Sequence, residues 1–222
     1  MKKQVLNIFA IVAICVAVVG CKKAKEANTS EAEAAAVSES STEKYVVNTS
    51  ESTIEWKGFK PTGTHNGTVN IESGVFQFNN GMLESGTFLI DMKSIVATDL
   101  EGDMKANLES HLMGTVEGKE GDFFNVKQFP TGAFEVTGTQ AAENGQVMLS
   151  GNLALKGNKN NITIPVTITE SGDDLTITSD TFTIDRTKWS INYGSKSVFD
   201  NLGDKFINDD MELKIIIKAK KA

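Results

Sequence analysis

Strict two-residue alternation of apolar and polar side chains runs through most of this chain and restricts it to strands. "NITIPVTIT" puts Ile162, Ile164, Val166 and Ile168 on one face and Thr163, Thr167 and Thr169 on the other. "MELKIIIKAK" does the same with Met211, Leu213, Ile215 and Ile217. Shorter runs follow suit: Ile54 and Trp56, Phe88 with Ile90 and Met92, Phe134 and Val136, Leu153 and Leu155, Leu175 and Ile177, Phe182 and Ile184. This period gives strands with one face buried and one wet. Turn signals separate the runs: "HNG", "FNNGM", "AENGQ", "KGNKN" and "SGDD". Asn-Gly pairs suit tight hairpins that need positive φ. With 19 Gly and 3 Pro, the composition fits a meander of hairpins rather than alternating strands and helices. One stretch, "DLEGDMKANLESHLMG", spaces Met104, Leu108 and Leu112 as a helix does. Pro165 falls within a strand, so an edge, a bulge or an outward-facing amide is expected there. A sheet with one apolar face must close into a barrel or fold into a sandwich. Periodicity leaves that choice open.

The first forty residues set the address. Lys2 and Lys3 precede an apolar run from Leu6 to Val19, shorter than the roughly 20 residues needed to span a bilayer. These are the parts of a secretory signal. Val18-Val19-Gly20-Cys21 resembles the bacterial lipobox, in which the cysteine thiol is lipidated and the chain is cut just before it. The expected organisation is a lipoprotein signal over 1–20, a flexible tether with a lipid-modified Cys21 over 21–43, and a folded domain over 44–222. Several acyl chains anchor stably, each buried methylene contributing about 0.8 kcal/mol. The tether is expected to be free because Ala, Glu, Ser and Thr dominate it and it has almost no large apolar side chains. Cys15 lies in the segment to be removed, so the mature chain has no disulfide. Loss of Lys2 and Lys3 takes the formal charge from −7 to −9, a poor match to nucleic acid or to anionic membrane surfaces.

Six pieces, in order, resemble the YceI-like domain family: "YVVNTSESTIEWKGF", "GTFLIDMKSIVATD", "DFFNVKQFPTGAFEV", "GNLALKGNKNNITIPV", "FTIDRTKWSINY" and "INDDMELKIIIKAKK". The resemblance covers about residues 44–221. It implies an all-β fold: a single antiparallel lipocalin-like β-barrel of about eight or more strands, with one or two short helices. It also implies a place in the bacterial cell envelope outside the cytoplasm. The implied activity is binding a polyisoprenoid or fatty-acid-like lipid inside the barrel, with no catalysis and no cofactor. One departure stands out. The family usually has His-Leu a few residues before Asp-Phe-Phe, whereas here "MGTVEGKEG" separates His111-Leu112 from Asp122-Phe123-Phe124.

On that reading the expected lining is Trp56, Phe76, Phe78, Phe88, Ile90, Phe134, Leu153, Leu155, Phe182 and Trp189. His111, Arg186, Lys188 and Tyr193 are head-group candidates, and His65 is placed in a turn. Asp185-Arg186 also reads as a structural pair that fixes the turn before Trp189. With two histidines and no HExxH there is no metal site of ordinary spacing. "DLEGDMKANLE" has its Gly fourth where a calcium loop needs it sixth. The alternative to a lipid carrier is an envelope interaction module whose barrel is filled by its own side chains. Pairing into a homodimer stays open.

Overall fold

The computed structural model describes residues 24–38 and 42–222. The expected signal and Cys21 lie outside the described residues. In chain order the strands are β1 (Lys25–Glu26), β2 (Asn28–Glu31), β3 (Glu43–Val47), β4 (Thr53–Lys60), β5 (Gly63–Asn79) and β6 (Met82–Ala97). Helix α1 (Gly102–Met113) follows, then β7 (Thr131–Ala141), β8 (Val147–Leu155), β9 (Asn158–Ser171), β10 (Asp174–Ser179), β11 (Phe182–Asp185) and β12 (Asp210–Lys221).

Hydrogen bonding runs antiparallel from β4 through β5, β6, β7, β8, β9 and β10 to β12, and β12 pairs back to β4. The sheet therefore closes into a ring and has no free edge to protect. β3 continues the stave of β4 at its far end, pairing with β5 and β12. β11 continues the stave of β10 along β12.

The alternation works as expected. Ile162, Ile164 and Val166 are buried, as are Ile215 and Ile217. Pro165 sits where its missing N–H costs least: Thr163 is the last residue of β9 to pair with β2, and Val166 is the first to pair with β10. The helical spacing also holds. α1 ends at Gly114, whose φ of 69° is left-handed, with the Gly114 N–H donating to His111 O and the Thr115 N–H to Ser110 O.

Two expectations need correction. "HNG" is not a turn; His65 to Gly67 lie inside β5, and the β4–β5 turn falls at 61–62. Gly67 is needed there for close approach, since a Cβ would lie 1.8 Å from the Val96 carbonyl oxygen. The segment expected as free tether is also structured over 25–31. β1 lies parallel to β11, β2 lies antiparallel to β9, and Ala27 is buried in the core. Its sequence lacks apolar bulk, but strand pairing uses backbone groups that every residue carries.

Candidate functional site

Large side chains fill one end of the barrel. Phe88 stacks on Phe134 at 5.2 Å, Phe76 lies 6.5 Å from Phe88, and Tyr45 meets Phe78 edge-on at 5.3 Å. The other end is open. There a cavity of about 310 Å³, at the low end of the roughly 300–1,000 Å³ usual for ligand sites, lies beneath α1. β6 shows the change along one strand: Phe88 belongs to the aromatic stack, whereas Ile90, Met92 and Ile95 line the cavity.

The walls are Ile54 and Trp56 from β4, Val69 from β5, Leu155 at the end of β8, and Met211 and Leu213 from β12. α1 covers one side with Leu108, His111 and Leu112, and Phe123 and Phe124 follow from the connector. That connector is tied to the helix end, with the Phe124 N–H donating to Leu112 O and the Val126 N–H to Met113 O. The stretch that departs from the family pattern thus forms part of the cap. Lys57, Lys60, Asn208 and Asp210 bring polar groups to the rim.

Both histidines line the cavity, each held by a carboxylate. His111 Nε2 is 2.7 Å from Asp122 Oδ2, and its ring meets Phe123 and Tyr193 edge-on at 5.0 and 4.8 Å. His65 Nδ1 is 2.9 Å from Asp99 Oδ2. Burial pushes the Asp99 carboxyl up, but the hydrogen bonds from the Asn66 N–H and from His65 outweigh it and leave it below its ordinary value. Lys156 ties the connector after α1 to the lip, its Nζ donating to Gly121 O at 2.6 Å and Ser190 O at 3.0 Å. Burial draws the Lys156 ammonium down in pKa, with Asp122 acting in the opposite sense.

Arg186 lines the cavity but is committed to the fold. Its guanidinium donates to Asn208 O at 3.0 Å, Ile207 O at 3.1 Å and Ile191 O. Its carboxylate partner is Asp209, 3.8 Å away, rather than the adjacent Asp185. Asp185 instead caps the following 3-10 turn, its Oδ1 accepting from the Thr187 N–H at 2.9 Å. Arg186 thereby fixes the long loop that forms one lip of the cavity.

Of the expected lining residues, Trp56, Ile90 and Leu155 reach the cavity, and of the head-group candidates His111, Arg186 and Tyr193 do. Phe76, Phe78, Phe88, Phe134, Leu153, Phe182 and Trp189 face inward but are packed into the core instead of lining it. Lys188 is exposed and off the cavity wall. Alternation tells which face a residue takes, not its height in the barrel.

Order, ring closure and cavity can be set beside known proteins. The YceI-like domain model matches residues 45–219. The chain belongs to the YceI-like domain family. Its YceI-like domain runs from within β3 almost to the end of β12, and β1 and β2 lie outside it. Among solved structures, the chain is similar to BcnA of Burkholderia cenocepacia, with 20% identity and a TM-score of 0.55, over 78% of this chain and 99% of that one. It is also similar to a polyisoprenoid binding domain from Saccharophagus degradans, with 13% identity and a TM-score of 0.57, over 80% and 98% of the two chains. At these identities the likeness shows the shared fold. No curated protein matches the chain.

The residues that sequence reasoning missed come both from alternating strands, where Ile54, Met92, Met211 and Leu213 face inward at the height of the cavity, and from chain that does not alternate. Phe59, Ile191 and Ile207 come from strand ends and the lip, and Leu108 comes from the helix face. His65 was assigned to a turn because Asn-Gly follows it. Its place opposite Gly58 in the β4–β5 ladder puts it on the wall.

Proposed function

We propose that this YceI-like protein binds one amphiphile, with the apolar chain of an isoprenoid- or acyl-type lipid in the cavity under α1 and the head group at the rim. The observation that carries this reading is the cavity itself, walled by Ile54, Val69, Ile90, Met92, Ile95 and Leu155. Hydrocarbon moved from water into such walls gains about 25 cal/mol for each Å² buried. Lys57, Lys60 and Asn208 offer the head group charge and hydrogen bonds, while Arg186 and the two histidines are occupied by protein partners. The similarity to a polyisoprenoid binding domain supports the choice of cargo. The lipobox-like Val18 to Cys21 supports a site of action in the cell envelope, with the chain held to a membrane through an acylated Cys21.

The test is native mass spectrometry after expression with its signal and gentle extraction, joined to titration with a fluorescent fatty acid and a polyprenyl probe. The reading expects a retained lipid and one probe bound per chain. A chain that retains no lipid and binds neither probe contradicts it.

A further inference from the structure

The segment ahead of the YceI-like domain completes the barrel wall. β9 pairs with β10 only from Val166 onward, and β11 pairs with β12. Between the first half of β9 and β11 the wall is made by the strap: Lys25 and Glu26 pair with Phe182 and Thr183, and Asn28 to Glu31 pair with Thr163 to Asn160. Ala27 joins the core, its N–H donating to Thr183 O at 2.8 Å.

The domain is also built to receive the strap. Asn152 alternates with the core residues Leu153 and Leu155, so it belongs to the outer face, yet it is 2% exposed. It takes both backbone groups of Glu33: Oδ1 accepts from the N–H at 2.9 Å, and Nδ2 donates to the carbonyl at 2.7 Å. Asn161, also 2% exposed, donates to Asn152 Oδ1 at 3.2 Å and to Thr137 Oγ1 at 2.9 Å. Amides buried on an outer face are tolerable only when paired. Farther on, the Ala36 N–H donates to Val136 O at 2.8 Å.

We propose that the strap turns the lipid anchor into a clamp that holds the β11 wall of the barrel close to the bilayer bearing the anchor. This rests on the reading that Cys21 is acylated. Cys21 and Lys25 are separated by four Cα steps of about 3.8 Å, so the β11 wall lies within about 15 Å of the anchor. A free tether from 21 to 43 would reach about 75 Å at roughly 3.4 Å per residue. The clamped barrel meets lipid head groups with the wall around Phe182. The outward residues there are Thr181, Thr183 and Lys214 together with the carboxylates of Glu26 and Glu212, so proximity comes from the anchor and not from charge attraction. Cargo then passes to and from that same bilayer.

The test uses the full lipidated chain in vesicles of phosphatidylethanolamine and phosphatidylglycerol doped with an energy-acceptor lipid. A donor dye is placed on Thr181→Cys, and a second form carries a 16-residue Gly-Ser insertion between Ala24 and Lys25, which lengthens the leash without touching the strap. The clamp predicts efficient transfer in the native-length form, at least halved in the extended one, and exchange of the Ala27 and Glu33 amides slowed at least 100-fold against free chain. Equal transfer in the two forms, or strap amides exchanging as free chain, overturns the clamp while leaving the anchor intact. An unmodified Cys21 in the mass of the N-terminal peptide overturns both the anchor and the clamp, and leaves the cargo reading standing.

Discussion

Phe88 and Phe134 stack nearly parallel across the β6–β7 ladder, with centroids 5.2 Å apart at 18°, in the packed part of the barrel one inward position along β6 from the cavity-lining Ile90. Their room comes from a neighbour with no side chain: a Cβ on Gly151 would stand 2.2 Å from the Phe134 ring. Phe134→Ala should therefore cost about 3–5 kcal/mol, the usual loss for a buried aromatic ring. It should also deepen the pocket. Chemical denaturation reads the first effect, and a series of fatty acids of rising length reads the second: the variant should shift its preference toward longer chains.

Arg186 is the pin of the lip, satisfying three carbonyls at 3% exposure. Arg186→Lys removes the planar fork that reaches all three and leaves buried acceptors unpaired. The expected loss is about 3 kcal/mol. Hydrogen exchange should show amides across 191–208 losing protection before those of β7 to β9 do. Uniform loss across the barrel would instead mean that the lip is not a separate unit.

The strap meets an acidic neighbourhood. Burial, then the Glu26, Asp185 and Asp209 carboxylates, push the Asp210 carboxyl above its ordinary value, with Lys188 acting in the opposite direction. A carboxyl raised in the fold stabilises it while protonated. That contribution is complete below the ordinary carboxylate value and is lost as pH rises through the raised one. Asp210→Asn should accordingly gain in melting temperature over the native chain as pH goes from 3 to 7. The part of the gain that comes from the Glu26, Asp185 and Asp209 carboxylates should shrink in high salt, and the part that comes from burial should stay. A constant difference at all pH values would show that the repulsion does not act.

The strands were legible because alternation and turn chemistry are local, whereas their closure into a barrel was implied only by the resemblance to the YceI-like family. Even Pro165 announced a break in pairing. The sequence could not tell Phe88 from Ile90: both face inward, and which one reaches a cavity depends on how much ring volume adjacent strands contribute at each height. The strap was missed because composition measures apolar bulk, whereas residues 25–36 are held by backbone pairing and by the side chain of Asn152, more than a hundred residues away. A trace was present: "GNLAL" and "NKNNI" set Asn152 and Asn161 into strands, where asparagine is disfavoured.

The central claim is that the open end of the barrel holds an apolar chain. Val69, on the cavity wall and 8% exposed, is the position at which to block it. Titrating a fluorescent fatty acid into the native chain and into Val69→Phe, with melting temperature followed in parallel, measures this directly. The account predicts one saturable site in the native chain and at least tenfold weaker binding in a variant that still melts cooperatively. Equal affinity in the two proteins would place the probe elsewhere and contradict it.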